Sequence, residues 1–112
     1  AVFRGPEHRY EYVNDAYYQL VGHRPVLGRP IAEAVPEARE QGYTALLDRV
    51  LATGEPLEFR EASVELQHVP GGPRELRHLD MVFQPLAEVD GTVSGVLAHG
   101  VDVTGHVRAR ED

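Results

Sequence analysis

The sequence has no cysteine, no lysine and a single methionine among its 112 residues. Without a thiol there is no disulfide, no thiolate-bound metal and no cysteine nucleophile. Nothing then points to an oxidising compartment, and a cytoplasmic location is the default expectation. No apolar run approaches the roughly 20 residues of a membrane-spanning helix, and no signal-peptide pattern opens the chain. Positive charge is scarce as well: 11 basic residues face 18 acidic ones, for a net charge of −7. The arginines form no cluster and no basic amphipathic stretch, so neither nucleic acid nor direct membrane insertion is expected of this chain. It opens on Ala1-Val2-Phe3 without a methionine, as expected of a piece of a longer protein.

What is present is ordinary for a globular fold, at 42% hydrophobic and 26% charged residues. The length suits one domain with a modest core. Eleven glycines and eight prolines sit between periodic segments, where they punctuate many short elements. Val2 to Arg4 and Arg9 to Val13, separated by Gly5-Pro6-Glu7-His8, predict a β-hairpin. Asn14 or Asp15 then caps a helix carrying Ala16, Tyr17, Leu20 and Val21, stopped by Gly22. His23 to Pro36 is broken by prolines and holds short helical turns at most, with Ile31 to Val35 the best candidate and Pro30 at its first position. Tyr43, Leu46, Leu47, Val50 and Leu51 recur at helical spacing, with Asp48 and Arg49 pointing away and Thr53-Gly54 as the stop.

Beyond Pro56 the period changes to that of strands. Leu57 to His68, Glu75 to Pro85 and Thr92 to Val103 are joined by Val69-Pro70-Gly71-Gly72-Pro73 and by Asp90-Gly91. Three long strands joined by tight turns predict an antiparallel meander, and the whole chain an α+β fold. Asp102 or Thr104 can cap a further helix over residues 104–112, leaving residues 1–103 as the core.

Several of these segments resemble the PAS family of sensory modules, and the resemblance spans nearly the whole chain. Tyr12-Val13-Asn14-Asp15-Ala16-Tyr17 with Leu20-Val21-Gly22 is similar to that family's second strand entering its first helix. Leu27-Gly28-Arg29-Pro30 resembles its next connection, and Leu47 to Pro56 the end of its long helix. Phe83-Gln84-Pro85-Leu86, Asp90-Gly91 and Ser94-Gly95-Val96-Leu97 resemble its last two strands. Asp102-Val103-Thr104 is similar to the motif that joins a PAS core to an output helix. The match departs at the N-terminus, where family members often carry a helix before the first strand.

The resemblance implies a five-stranded antiparallel sheet of order 2-1-5-4-3 with short helices on one face. It implies a regulatory, non-catalytic sensor or relay domain of a bacterial signal-transduction protein, first of all a two-component sensor histidine kinase. A diguanylate cyclase or a serine phosphatase regulator would be other hosts. The effector would lie in the same chain, homodimers are possible, and a purely structural dimerisation module is the alternative. The arginine-rich, lysine-free composition suits a bacterial source of high GC content.

Two candidate sites follow. Asp102 and Thr104 would form a signal-transfer junction, because a helix that transmits strain needs a rigidly held start. A pocket between helix and sheet would be lined by Tyr43, Leu46, Leu47, Val50, Phe59, Met81, Leu97 and His99, and would hold an unidentified small molecule. Flavin–thiol photochemistry is excluded by the missing cysteine. Haem lacks an axial ligand on the long helix, and the six histidines are scattered as hydrogen-bonded or solvated side chains, so no metal site is expected. Glu58, Glu61 and Glu65 read as a solvated strand face paired with Arg74 and Arg77, with 61 and 65 on the side of Leu57 and Phe59.

Overall fold

A computed structural model describes residues 1–111 of the chain, and Asp112 lies outside the described residues. Strands β1 (Val2–Arg4) and β2 (Arg9–Tyr12) form the expected hairpin. Helix α1 (Asp15–Leu20) starts at Asn14, whose Oδ1 accepts the Tyr17 backbone N–H at 2.9 Å. This satisfies one of the donors that a first helical turn leaves free. The long helix α4 (Tyr43–Thr53) ends where Gly54 adopts φ 69° and returns its N–H to the Val50 carbonyl. Strands β3 (Leu57–Leu66), β4 (Glu75–Ala87) and β5 (Val93–Asp102) form the meander.

The five strands form one antiparallel sheet of order β2-β1-β5-β4-β3. Alternation sends Leu79, Met81 and Phe83 of β4 and Val96 and Ala98 of β5 to the helical side. There they meet Leu47 and Val50 of α4, which are 1% and 0% exposed. Burying a side chain of this size contributes about 1.5–3 kcal/mol.

The proline-broken segment contains more helix than expected. Helices α2 (Ile31–Ala34) and α3 (Pro36–Glu40) are divided at Val35, whose φ of −133° and ψ of 75° interrupt the helical path. Pro30 is the cap of α2 rather than its first residue, while Pro36 takes the first position of α3. The preceding connection closes the edge of β2: the Tyr10 N–H donates to Arg29 O, and the Gly28 N–H donates to Tyr10 O. On the opposite edge, side chains of α3 and of Gln41, which caps its end, stand in for a missing strand. Gln41 bonds both the N–H and the carbonyl of Glu65, and Glu37 accepts from the Gln67 N–H.

The reading of β3 as a regular alternation is corrected by a bulge. Phe59 pairs with Met81 but Ala62 pairs with Leu79, so one extra residue is inserted, and Glu61 takes φ 50°. After it the parity flips. Val64 and Leu66 face the core, and Glu65 is exposed rather than sharing the side of Leu57 and Phe59. The expected arginine partners change accordingly: Arg74 pairs with Glu40, Arg77 with Asp102, and Glu61 with Arg110. The expected final helix is α5 (Thr104–Glu111).

Candidate functional site

Between sheet and helices lies a cavity of about 540 Å³, inside the range of ~300–1,000 Å³ usual for small-molecule sites. Its floor is the inward face of the sheet, with Phe3, Val64, Leu66, Leu79, Met81 and Phe83. Its roof comes from Tyr17 and Leu20 of α1, Val35, Ala38, Tyr43 and Leu47. Of the residues anticipated from the sequence, the structure brings Tyr43, Leu47, Met81 and His99 to its wall. The other four lie elsewhere. Val50 is wholly enclosed by the core, and Leu46 packs against that core from outside the cavity. Phe59 meets Phe83 edge-on at 5.5 Å between ring centroids, sealing one end of the core. Leu97 pairs with Gln84, which places it on the outer face of the sheet.

The wall is polar at few points. Tyr17 Oη and Tyr10 Oη lie 2.7 Å apart. Burial pushes both hydroxyls up, Tyr17 to about 12, although its bond to Tyr10 opposes this. Their folded forms hold the proton after the unfolded chain has lost it. Stability from this pair is therefore full below pH 10, the ordinary tyrosine value, and declines as pH rises toward 12. In an alkaline absorbance titration the two phenols ionise late, and Tyr17→Phe removes one of them while stranding the Tyr10 hydroxyl, at a cost of about 1–3 kcal/mol. Uniform ionisation of all tyrosines near pH 10 would contradict the geometry.

Two buried groups escaped the sequence reading. Arg24 makes a two-pronged bond to Glu37, Nη1 to Oε1 at 2.9 Å and Nη2 to Oε2 at 2.8 Å. Arg24 Nε also donates to the Val21 carbonyl at 2.6 Å. His8, read as a turn residue, is 3% exposed. Its Nε2 lies 2.6 Å from Asp48 Oδ1, tying the β1–β2 turn to α4, and its Nδ1 has no partner among the described residues. No local pattern marks either pair, since each joins segments far apart along the chain.

At the far end of the cavity the wall includes Asp102. Its Oδ1 accepts from the Thr104 N–H at 3.0 Å and the Thr104 hydroxyl at 2.5 Å. Its Oδ2 accepts from Arg77 Nε at 2.9 Å and Nη2 at 2.7 Å. Burial alone would raise the Asp102 pKa, but the Thr104 and Arg77 bonds outweigh it and hold the carboxyl below its usual value. The buried Thr104 Oγ1 accepts in turn from the His78 backbone N–H at 2.8 Å. The start of α5 is thus bonded to β4 as well as β5.

This arrangement of sheet, helices, cavity and capped outgoing helix agrees with a family model described as PAS fold, which matches residues 1–108. The chain belongs to the PAS family. The PAS domain of BvgS from Bordetella pertussis superposes with a TM-score of 0.71 at 27% identity, covering 99% of this chain and 84% of that one. The PAS domain of the histidine kinase ThkA gives 0.67 at 19% identity, with 91% and 97% covered. VqmA bound to DPO gives 0.67 at 20% identity, with 89% of this PAS domain covered but only 50% of that chain. This PAS domain thus spans about half the length of VqmA. Among its described residues no helix is long and apolar enough to cross a membrane.

Proposed function

We propose that this PAS domain is the non-catalytic sensor of a cytoplasmic bacterial signalling protein, a two-component histidine kinase first of all, with its effector in the same chain. One observation carries the reading: Asp102 both lines the cavity and anchors the first residue of α5. An occupant that displaces Asp102 would loosen the Arg77 and Thr104 bonds and shift the population of α5 positions. A solved VqmA–DPO complex and the PAS domain of the histidine kinase ThkA among the structural neighbours support the assignment.

Asp102→Ala in the full-length protein is expected to abolish the response of effector output to the stimulus. In the isolated chain it raises amide exchange across Thr104–Glu111 and leaves the protection of β4 and β5 largely in place. Unchanged coupling with an unanchored α5 would sink the proposal.

A second reading, a structural dimerisation module, is favoured by the outer face of the sheet. Tyr12, Leu76 and Val101 stand there 59%, 46% and 55% exposed. Sedimentation of the chain over a range of concentrations separates the readings, because a ligand-indifferent dimer supports only the second.

A further inference from the structure

Resting on that sensor reading, the chemistry of the wall narrows what the cavity can hold. Among the described residues the wall carries two charged groups, Asp102, whose oxygens are already taken by Arg77 and Thr104, and the Ala1 ammonium, which donates to the Ala98 carbonyl at 3.0 Å. An ionic ligand would lose its hydration there and meet only charges that are already hydrogen-bonded, so the cavity selects against ions of either sign. Phe3, Tyr17, Tyr43 and Phe83 supply aromatic surfaces, which favour a flat, weakly polar molecule.

The polar groups on the wall divide into three kinds. Asn14, Gln19 and His99 are exposed at the rim and remain in contact with water. The two half-buried phenols are engaged, Tyr17 with Tyr10 and Tyr43 with the Ser63 carbonyl. His68 is partly buried and engaged through one ring nitrogen alone. Its Nδ1 lies 3.3 Å from the Leu20 carbonyl oxygen, which can only accept, so the hydrogen sits on Nδ1. In that tautomer Nε2 is a lone-pair acceptor, and no donor among the described residues bonds to it.

We infer that the cavity binds an uncharged aromatic molecule of one or two rings that donates a hydrogen bond, from N–H or O–H, to His68 Nε2. The backbone carbonyl of Leu20 sets the imidazole tautomer, so recognition at this point is for a donor and against an acceptor. His68 immediately follows Gln67, whose N–H is held by Glu37, so the reading group stands on an anchored strand end.

Indole, 1-methylindole and benzoate test this on the 112-residue chain by calorimetry. They differ in a donor N–H, its absence, and a negative charge. Indole is expected to bind about tenfold more tightly than 1-methylindole, the difference one hydrogen bond makes, with benzoate weaker than both. In His68→Leu the preference for indole over 1-methylindole falls to near unity. Nitrogen-15 imidazole spectra of the unaltered chain give the same test without a variant: indole shifts His68 Nε2, and 1-methylindole does not. Equal binding of all three probes would overturn the inference and leave the sensor reading standing. Binding of none would remove the cavity reading itself.

Discussion

Glu37→Ala lowers the unfolding free energy by about 3–5 kcal/mol, the cost of breaking a buried ion pair from one side. The Glu37 residue is 1% exposed, and its carboxylate serves Arg24 through two bonds and the Gln67 N–H through a third at 2.9 Å. Truncation strands a guanidinium that is mostly enclosed, together with the backbone N–H of Gln67 just beyond β3. Against a typical total of about 5–15 kcal/mol, this brings the domain near the limit of folding. Urea denaturation would record it as a lower midpoint at unchanged slope. A loss below about 1 kcal/mol would mean that the pair merely balances its own desolvation.

The same carboxylate contributes to the acid limit of the fold. Burial by itself raises the Glu37 pKa, but the Arg24 bonds and the backbone N–H groups of Gln67 and Glu37 outweigh it, holding it at about 2 against an ordinary 4.5. The unfolded chain therefore takes up the proton first as pH falls. Stability from Glu37 is complete above pH 4.5 and is lost as pH drops toward 2, a linkage of about 3 kcal/mol. Glu37→Gln flattens that acid slope. A slope identical to that of the unaltered chain would assign acid unfolding to other groups.

Gly22→Ala is the second large effect, at about 2–5 kcal/mol. Gly22 follows α1 with φ +71°, where a Cβ would lie 2.6 Å from the Gln67 carbonyl oxygen. The left-handed conformation costs an alanine about 1–2 kcal/mol. The overlap adds about 1–3 kcal/mol, because one of the two backbones must move. Gly28→Ala is the control: its φ is +78° and, its chain neighbours aside, nothing among the described residues lies within 4 Å of the added carbon. The difference between the two variants isolates the close approach of α1 to the end of β3. Equal losses would show that only the backbone conformation matters. Gly22→Ala also pulls Leu20 from His68, so it weakens indole binding where Gly28→Ala does not.

Most of the fold could be read locally because its signals are local. The Asn14 cap, the helical repeat from Tyr43 to Leu51 and the Asp90-Gly91 turn each act within one or two turns of chain. Alternation in β4 and β5 was equally plain, but alternation alone does not say which side is inward. The sequence reading puts Leu97 on the cavity wall beneath the long helix, and its pairing with Gln84 sends it to the outer face instead. The bulge at Glu61 defeated the reading of β3 for a related reason, since an inserted residue is recognised only against the partner strand. The junction motif could be named from Asp102 and Thr104, while Arg77, the residue that completes it, could not.

The amino-acid sequence by itself determined the order and kind of the elements other than α3, the antiparallel meander, and the absence of thiol chemistry. These depend on periodicity, capping and composition, which act over a few residues. Tertiary structure decided the pairing of Arg24 with Glu37, of His8 with Asp48 and of Gly22 with the Gln67 carbonyl. It also decided that a cavity stays open between sheet and helices and that Asp102 borders it. Those contacts join segments up to dozens of residues apart, and their partners are chosen by how helices settle on the sheet.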